Sequence, residues 1–493
     1  MKRRYCAVLV CLVMMLCQAT AFSAQAEEPY ANYMYDHSGE KKQEPQAYRP
    51  QRQILGSDLH VGNFSAPQDC CVAEDGTIYL ADTGNDRVVV LNGDLTPKKV
   101  ITGFDNGGKR ETLSQPTGLF VTGDNRLYIA DSGSRRVIVL DEAGGLLQAI
   151  GRPSDRLLDK ASDYIPTKVA VDKYGRIYVV ASGVNQGIVE LNKDGSFFSF
   201  FGAVTVDTSM AQVLRRMFNF TALENLFDYI TTESSIPTEY SNLDIDETGF
   251  VFGTVSIIDT SGTIRDNQFI HRLNPKGTDV LRRPAVNPPV GDAAYMKDGE
   301  WIVSRLCDIA ACCNGMYAVL DSSEGRVFTY SNEGRLMYVF GTIGKELGAF
   351  GKPVALDVTA DGRYLVVDSK YNSLTVFTPT AYGEIITRAV SAYTTRDYQQ
   401  AQACWKEALQ YTSSSELVYD GVADAYFRTG DYENAMKYYR YSRNHDGYSA
   451  ARKYYRNEWI NTHFGLLLCV LIALVVLAAA GALLKRKRRK KHG

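Results

Sequence analysis

Through the middle of the chain, apolar and polar positions alternate in short runs, and the runs recur in register. Pro67 to Leu91 and Pro116 to Leu140 follow one pattern at an offset of 49 residues. A proline opens a short apolar strand and a polar turn. Next comes Ile78-Tyr79-Leu80-Ala81-Asp82, or Leu127-Tyr128-Ile129-Ala130-Asp131. Each copy passes a glycine, Gly84 or Gly133, and reaches an arginine five residues after the aspartate, Arg87 or Arg136. An alternating strand, Val88 to Leu91 or Val137 to Leu140, follows. Looser copies open at Pro166, Pro237 and Pro353, and another contains Met316 to Asp321 with Arg326. Six units of short strands, about 40 to 50 residues apart, predict a six-bladed β-propeller, because one four-stranded blade cannot bury both faces without neighbours. The sixth unit lacks an outer strand of its own. Gln53-Ile54-Leu55, upstream of the first unit, supplies it and locks the ring by pairing first and last segments.

The pattern breaks in two places. Between Val180 and Ile188 the third unit has neither the aspartate nor the arginine. Between the third and fourth units, at about 205–232, Met210, Val213, Leu214, Met217, Phe218, Leu223, Leu226, Phe227 and Ile230 recur at helical spacing. That insertion predicts a helix, either covering the edge of a degenerate blade or offering Met217, Phe218, Leu226 and Phe227 as a docking face. After Pro379 the period changes from 2 to 3.6. Arg396-Asp397-Tyr398 with Ala401 and Trp405 is matched 34 residues later by Gly430-Asp431-Tyr432 with Ala435 and Tyr439. Tyr426 and Tyr439 on these helices are further candidates for a binding surface.

The units quoted from Pro67 through Val90 and from Pro116 through Val139 resemble the NHL repeat. That resemblance implies a six-bladed interaction platform, in some members an extracellular sensor domain, and so binding more than catalysis. The 34-residue pair is similar to tetratricopeptide repeats, which implies a surface for peptides or proteins, or a rigid stalk.

The ends fix the topology. Lys2, Arg3 and Arg4 precede an apolar run to Leu16, and Ala24-Gln25-Ala26 supplies a small-x-small cleavage signal, so residues 1–26 read as a signal peptide. Phe464 to Leu484 is 21 residues without a charge, enough at about 1.5 Å each to cross a membrane. Lys485 to Lys491, seven basic residues, follow at once and belong on the cytoplasmic side. The layout is thus 1–26 signal peptide, 27–50 N-terminal extension, 51–379 propeller, 380–462 helical repeats, 464–484 membrane helix and 485–493 basic tail. The expected location is the cell membrane, with a single pass and the bulk outside.

Net charge is −2, but both ends are purely basic, which leaves the intervening chain distinctly acidic and argues against nucleic acid as a partner. Other membrane or cell-surface proteins, or a carbohydrate or peptide ligand, are the expected partners. Asp82/Arg87, Asp131/Arg136 and Asp321/Arg326 recur too regularly for a catalytic set and read as turn-fixing pairs inside each blade. Cys70, Cys71, Cys307, Cys312 and Cys313 have neither disulfide nor zinc spacing and read as small buried residues. Two histidines, His60 and His271, fall in the ring, fewer than a propeller with a catalytic zinc needs. No nucleophile elbow or phosphate loop is present. No cofactor, metal site or catalytic residue is therefore assigned. The alternative reading is a metal-dependent hydrolase of the gluconolactonase type, holding a divalent ion in the central channel through Asp69, Asp172, Asp244, Asp308 and Asp357.

Overall fold

The computed structural model describes residues 29–154, 163–184, 186–202, 204–205, 235–236, 239–255, 269–284, 286–292, 294–297, 300–312 and 314–491. Six antiparallel blades surround a channel, followed by five helices, α1 (Ala381–Thr394), α2 (Tyr398–Ala408), α3 (Glu416–Arg428), α4 (Tyr432–Tyr441) and α5 (His445–Lys491). The second strand of a blade is packed on both faces, which is why Ile78–Asp82, Leu127–Asp131 and Tyr364–Asp368 are buried throughout and read as continuous apolar runs ending in aspartate. All six inner hairpins turn on a residue at positive φ: Gly76, Asn125, Gly175, Gly249, Gly315 and Gly362.

Blades 1, 2, 3 and 5 are four-stranded from their own sequence. Blade 6 takes its outer strand from the N-terminus, as expected: Gln53 pairs with Thr375, Ile54 with Leu374 and Leu55 with Ser373. The closing strand runs Tyr48–Leu55, so the ring begins three residues before the boundary read from sequence. In blade 4 three strands, Tyr240–Ile245, Val251–Val255 and Ile270–Leu273, are present among the described residues. Two side chains and one backbone amide of the segment that follows stand where a fourth would bond. Asp279 accepts from Arg272 N (3.2 Å), Arg283 donates to Ile270 O (2.7 Å), and Val280 N donates to Arg272 O (2.8 Å). The open edge is thereby satisfied and closed to further strand pairing.

Residues 29–47 form a strap rather than a loose extension. A hairpin, Tyr33–Tyr35 with Lys41–Gln43, lies along blade 5, where Asn32 Oδ1 accepts from Val339 N (2.9 Å). Tyr33 and Tyr35 both donate to buried Asp292 (2.5 Å each). The strap then meets the helices: Thr380, the N-cap of α1, donates to Ala47 O (2.9 Å) and Gln46 O (2.6 Å). Gly383 is required there, since a Cβ would stand 2.1 Å from Ala47 O.

The helices share a core with the ring. Tyr48, Tyr364 and Phe377 of blade 6 pack in one cluster with Tyr382, Ile386, Trp405 and Val422, and Arg335 of blade 5 pairs with Asp424 of α3 (2.7 Å). The matched turns 34 residues apart have matched geometry. Arg396 and Gly430 have positive φ (66° and 84°), and the next residue caps a helix, Asp397 accepting from Gln400 N (3.0 Å) and Asp431 from Asn434 N (3.1 Å). α5 packs on α4 through Ala451 and then stands clear, apart from Tyr454, whose ring meets Phe427 (5.3 Å) and Tyr432 (5.6 Å). Its apolar stretch is exposed along its whole length and is long enough to cross a membrane.

Candidate functional site: the central channel

Each blade contributes its first strand to the channel wall. In the blades that open on proline, the residue two positions on begins the wall: Gly118, Lys168 and Ala355 after Pro116, Pro166 and Pro353, with Asp69 matching them in blade 1. Asn242 and Asp308 occupy the same register in blades 4 and 5. Two residues further along, on the same face by the strand period, lie Cys71, Phe120, Ala170, Asp244, Ala310 and Asp357. The channel is therefore two stacked rings of six positions, and four of the twelve are aspartates.

Each aspartate reaches the next blade by one rule. Asp69 accepts from Leu119 N (2.7 Å), Asp244 from Ala311 N (2.7 Å), Asp308 from Leu356 N (2.6 Å) and Asp357 from Val72 N (2.6 Å). In every case the donor is the amide just beyond the equivalent position in the neighbouring blade. Asp308 also accepts from Asn242 Nδ2, while Lys168 Nζ donates to Asp69 (2.6 Å). The carboxylates thus stitch blade 1 to 2, 4 to 5, 5 to 6 and 6 to 1.

Burial dominates the electrostatics. It pushes Asp308 up to about 7 against the pull of Lys168, pushes Asp244 up to about 6, and raises Asp69 and Asp357 as well. Burial acts in the opposite sense on Lys168, but the facing Asp69 and Asp308 outweigh it and hold the ammonium charged. One lysine thus stands against four carboxylates. The cavity they line has a volume of about 890 Å³ and opens past Glu74, Asp124, Lys173, Tyr174 and Glu247. Tyr174 is 74% exposed at that mouth.

Of the five aspartates expected in a channel ion site, four lie in the two rings. Asp172 lies at the mouth instead, at a hairpin turn, where it accepts from Arg176 Nε (2.7 Å). Among the described residues, no three carboxylate, thiol or imidazole groups of the channel offer ligand atoms within 4.8 Å of one another. Lys168 and Asn242 were not singled out from sequence. Aligning the six inner strands on their opening residue would have placed both in the ring with Asp69 and Asp308.

The remaining expected residues are dispersed. Asp82 meets Arg87 (2.6 Å) and Asp131 meets Arg136 (2.9 Å), each aspartate also accepting from the backbone of the segment that precedes its blade, Ser65 N or Ser114 N. The third pair is not formed. Arg326 turns to Asp292 and the Tyr33 hydroxyl, drawn by the strap that crosses blade 5, and Asp321 instead accepts from Arg305 N (3.0 Å) and Ser323 N (2.8 Å). Tyr439 is in the helical core, 4% exposed, donating to Asp424 (2.6 Å), so it offers no surface. Tyr426 is half-buried, accepts from Lys406 (2.8 Å) and stacks on Tyr438. Met217, Phe218, Leu226 and Phe227 lie outside the described residues, as do the signal peptide and Cys313. Cys70, Cys71, Cys312 and Cys404 are buried free thiols, whereas Cys307, expected to be buried, is only half-buried; burial raises Cys70, Cys71 and Cys307 well above the usual thiol range and so disfavours the thiolate. His271 is buried against Asp279 (3.0 Å), and His60 is exposed.

No protein-family model and no curated protein matches the chain. Among solved structures it is similar to a streptogramin B lyase (TM-score 0.41, 11% identity, 68% of this chain and 98% of that one). It is also similar to a virginiamycin B lyase from Staphylococcus aureus (0.40, 11%, 67% and 99%) and to a protein of unknown function from Bacteroides thetaiotaomicron (0.42, 10%, 69% and 80%). Likeness at this level carries no argument about chemistry.

Proposed function

We propose that the protein is a membrane-anchored extracytoplasmic binding or scaffold protein, in which an NHL-type propeller and tetratricopeptide-like helices act as one rigid body. The observation that carries this reading is the core shared by blade 6, α1 and α3, together with α5, which packs on α4 through Ala451 and runs without a break into its exposed apolar stretch. From Tyr455 to His463 the helix has about 13 Å of free length, enough to hold the ring off a bilayer. Partners are other membrane or cell-surface proteins, or a peptide or carbohydrate ligand, taken at the channel mouth or on the helices. The hydrolase alternative draws on the channel aspartates. Against it stands their engagement with backbone amides, which directs the carboxylate oxygens to strands rather than to a common centre. To test the reading, the full chain is cross-linked in its own membranes and isolated after solubilisation. A discrete complex that survives substitution of the channel aspartates but not release of the ring from α5 supports a scaffold. A chain that runs alone and turns over lactones with added divalent ion overturns it.

A further inference from the structure

Glu44 is 7% exposed where three bodies meet: the strap that carries it, α1 and the N-terminus of α3. Its backbone N donates to Asn32 O (2.9 Å), closing the strap on itself, and its Oε2 accepts from Tyr382 Oη of α1 (3.4 Å). Facing it are hydroxyls, those of Tyr382 and of Ser415, the N-cap of α3. The charged groups nearest in the chain are engaged elsewhere. Lys42 is held by Glu40 (3.0 Å) and Asp36 (3.5 Å), while Glu416 is bonded by His37 (3.2 Å) with Arg443 at 4.0 Å. A carboxyl at this place is comfortable as a neutral acid and strained as an anion, because burial without a cation disfavours charge.

We propose that Glu44 is a proton-operated latch, which seats the 29–47 strap between blade 5 and the helices when protonated and loosens it when ionised. The strap also holds α1 through Thr380 and continues into the closing strand Tyr48–Leu55, so the latch governs how tightly ring and helices are joined. Burial pushes the carboxyl up to about 7, the two hydroxyls pulling the other way. In a released strap it titrates near the ordinary value of about 4.5. Release is therefore disfavoured at acid pH and grows as pH climbs from about 4.5 to about 7, levelling off above that. From pH 5 to pH 7.5 the opening constant rises about fiftyfold.

Hydrogen exchange of the full chain in detergent, corrected for intrinsic rates, reads this at the amides of Glu44 and Thr380. The expected result is protection that falls by that factor across the window, and a Glu44→Gln variant whose strap is protected at both ends of it. Inner-strand amides beside Asp308 keep their own pH dependence in the variant, which separates the latch from the channel. Should Glu44→Gln fail to fold, Tyr382→Phe provides a second reading: with one stabilising hydroxyl gone, the midpoint moves upward. A strap whose pH dependence survives Glu44→Gln, or a midpoint unmoved in Tyr382→Phe, overturns the proposal.

Discussion

Lys168 of blade 3 donates to Asp69 of blade 1 across 2.6 Å, passing over blade 2. The span is possible because blade 2 has Gly118 at the matching position, where a Cβ would stand 2.4 Å from Thr167 O and 2.7 Å from the Lys168 Cα. A missing side chain in one blade thus brings the next blade's cation to the carboxylate of the one before. The bridge crosses the boundary between blades 2 and 3, where the stitching is absent because blade 2 has no aspartate in the rings.

Lys168→Met leaves Asp69 buried without a cation and is expected to cost about 3–5 kcal/mol. Adding Asp69→Asn recovers most of that loss. Thermal melting of the single and double variants checks it, and simple additivity of the two losses would show that the residues do not act as a pair.

The channel sets the direction of the pH dependence. Asp308 and Asp244 have folded values raised to about 7 and about 6, so the native state holds protons that the unfolded chain has released. Their contribution is present at acid pH and is lost as pH rises from about 4 towards 7, at a slope of at most about 1.4 kcal/mol per pH unit per group. Denaturant melts between pH 5 and pH 8 should show declining stability, and Asp308→Asn should flatten the decline. A profile that climbs with pH in the wild type would refute the assignment.

Ring closure is testable at Tyr48, 2% exposed and packed on the rings of Tyr338, Phe340 and Tyr364 at 4.8–5.1 Å. Tyr48→Ala should cost about 3–5 kcal/mol. Removing residues 27–58 should lower and broaden the melt of the whole ring. Parental temperature and cooperativity in the deletion would mean that the strand does not close it.

Gly421 of α3 admits Trp405 of α2: a Cβ there would stand 2.3 Å from the indole. Gly421→Ala gains helix propensity but forces the ring aside, for a net loss of about 1–3 kcal/mol. The helical region should then melt below the propeller in calorimetry, and unchanged melting would show that the contact yields freely.

Much of this architecture is legible in the sequence because propeller blades repeat. Ile78 to Asp82 and Leu127 to Asp131 are buried on both faces, so their apolar runs are long, and the partnership of Ile54 with Leu374 follows from the missing outer strand. The strap was not legible. Residues such as Asn32, Asp36 and Glu44 look like solvated polar positions, and their burial comes with long-range partners, Val339, Asn287 and Tyr382, that no local period announces. The same strap redirects Arg326 from its expected aspartate. In the channel, Lys168 and Asn242 break the repeat's residue type while keeping its position, so type-matching passes over them and register finds them.

The most direct measurement is the melting temperature of the purified full chain at neutral pH, with a chelator and then with millimolar calcium, magnesium or zinc, beside elemental analysis of the same sample. If the four aspartates are mortar between blades, the preparation holds no stoichiometric divalent ion and the melting temperature moves by less than about a degree. A bound equivalent, removed by chelator with a loss of several degrees that Asp308→Asn abolishes, would contradict the scaffold reading and make the channel a metal centre.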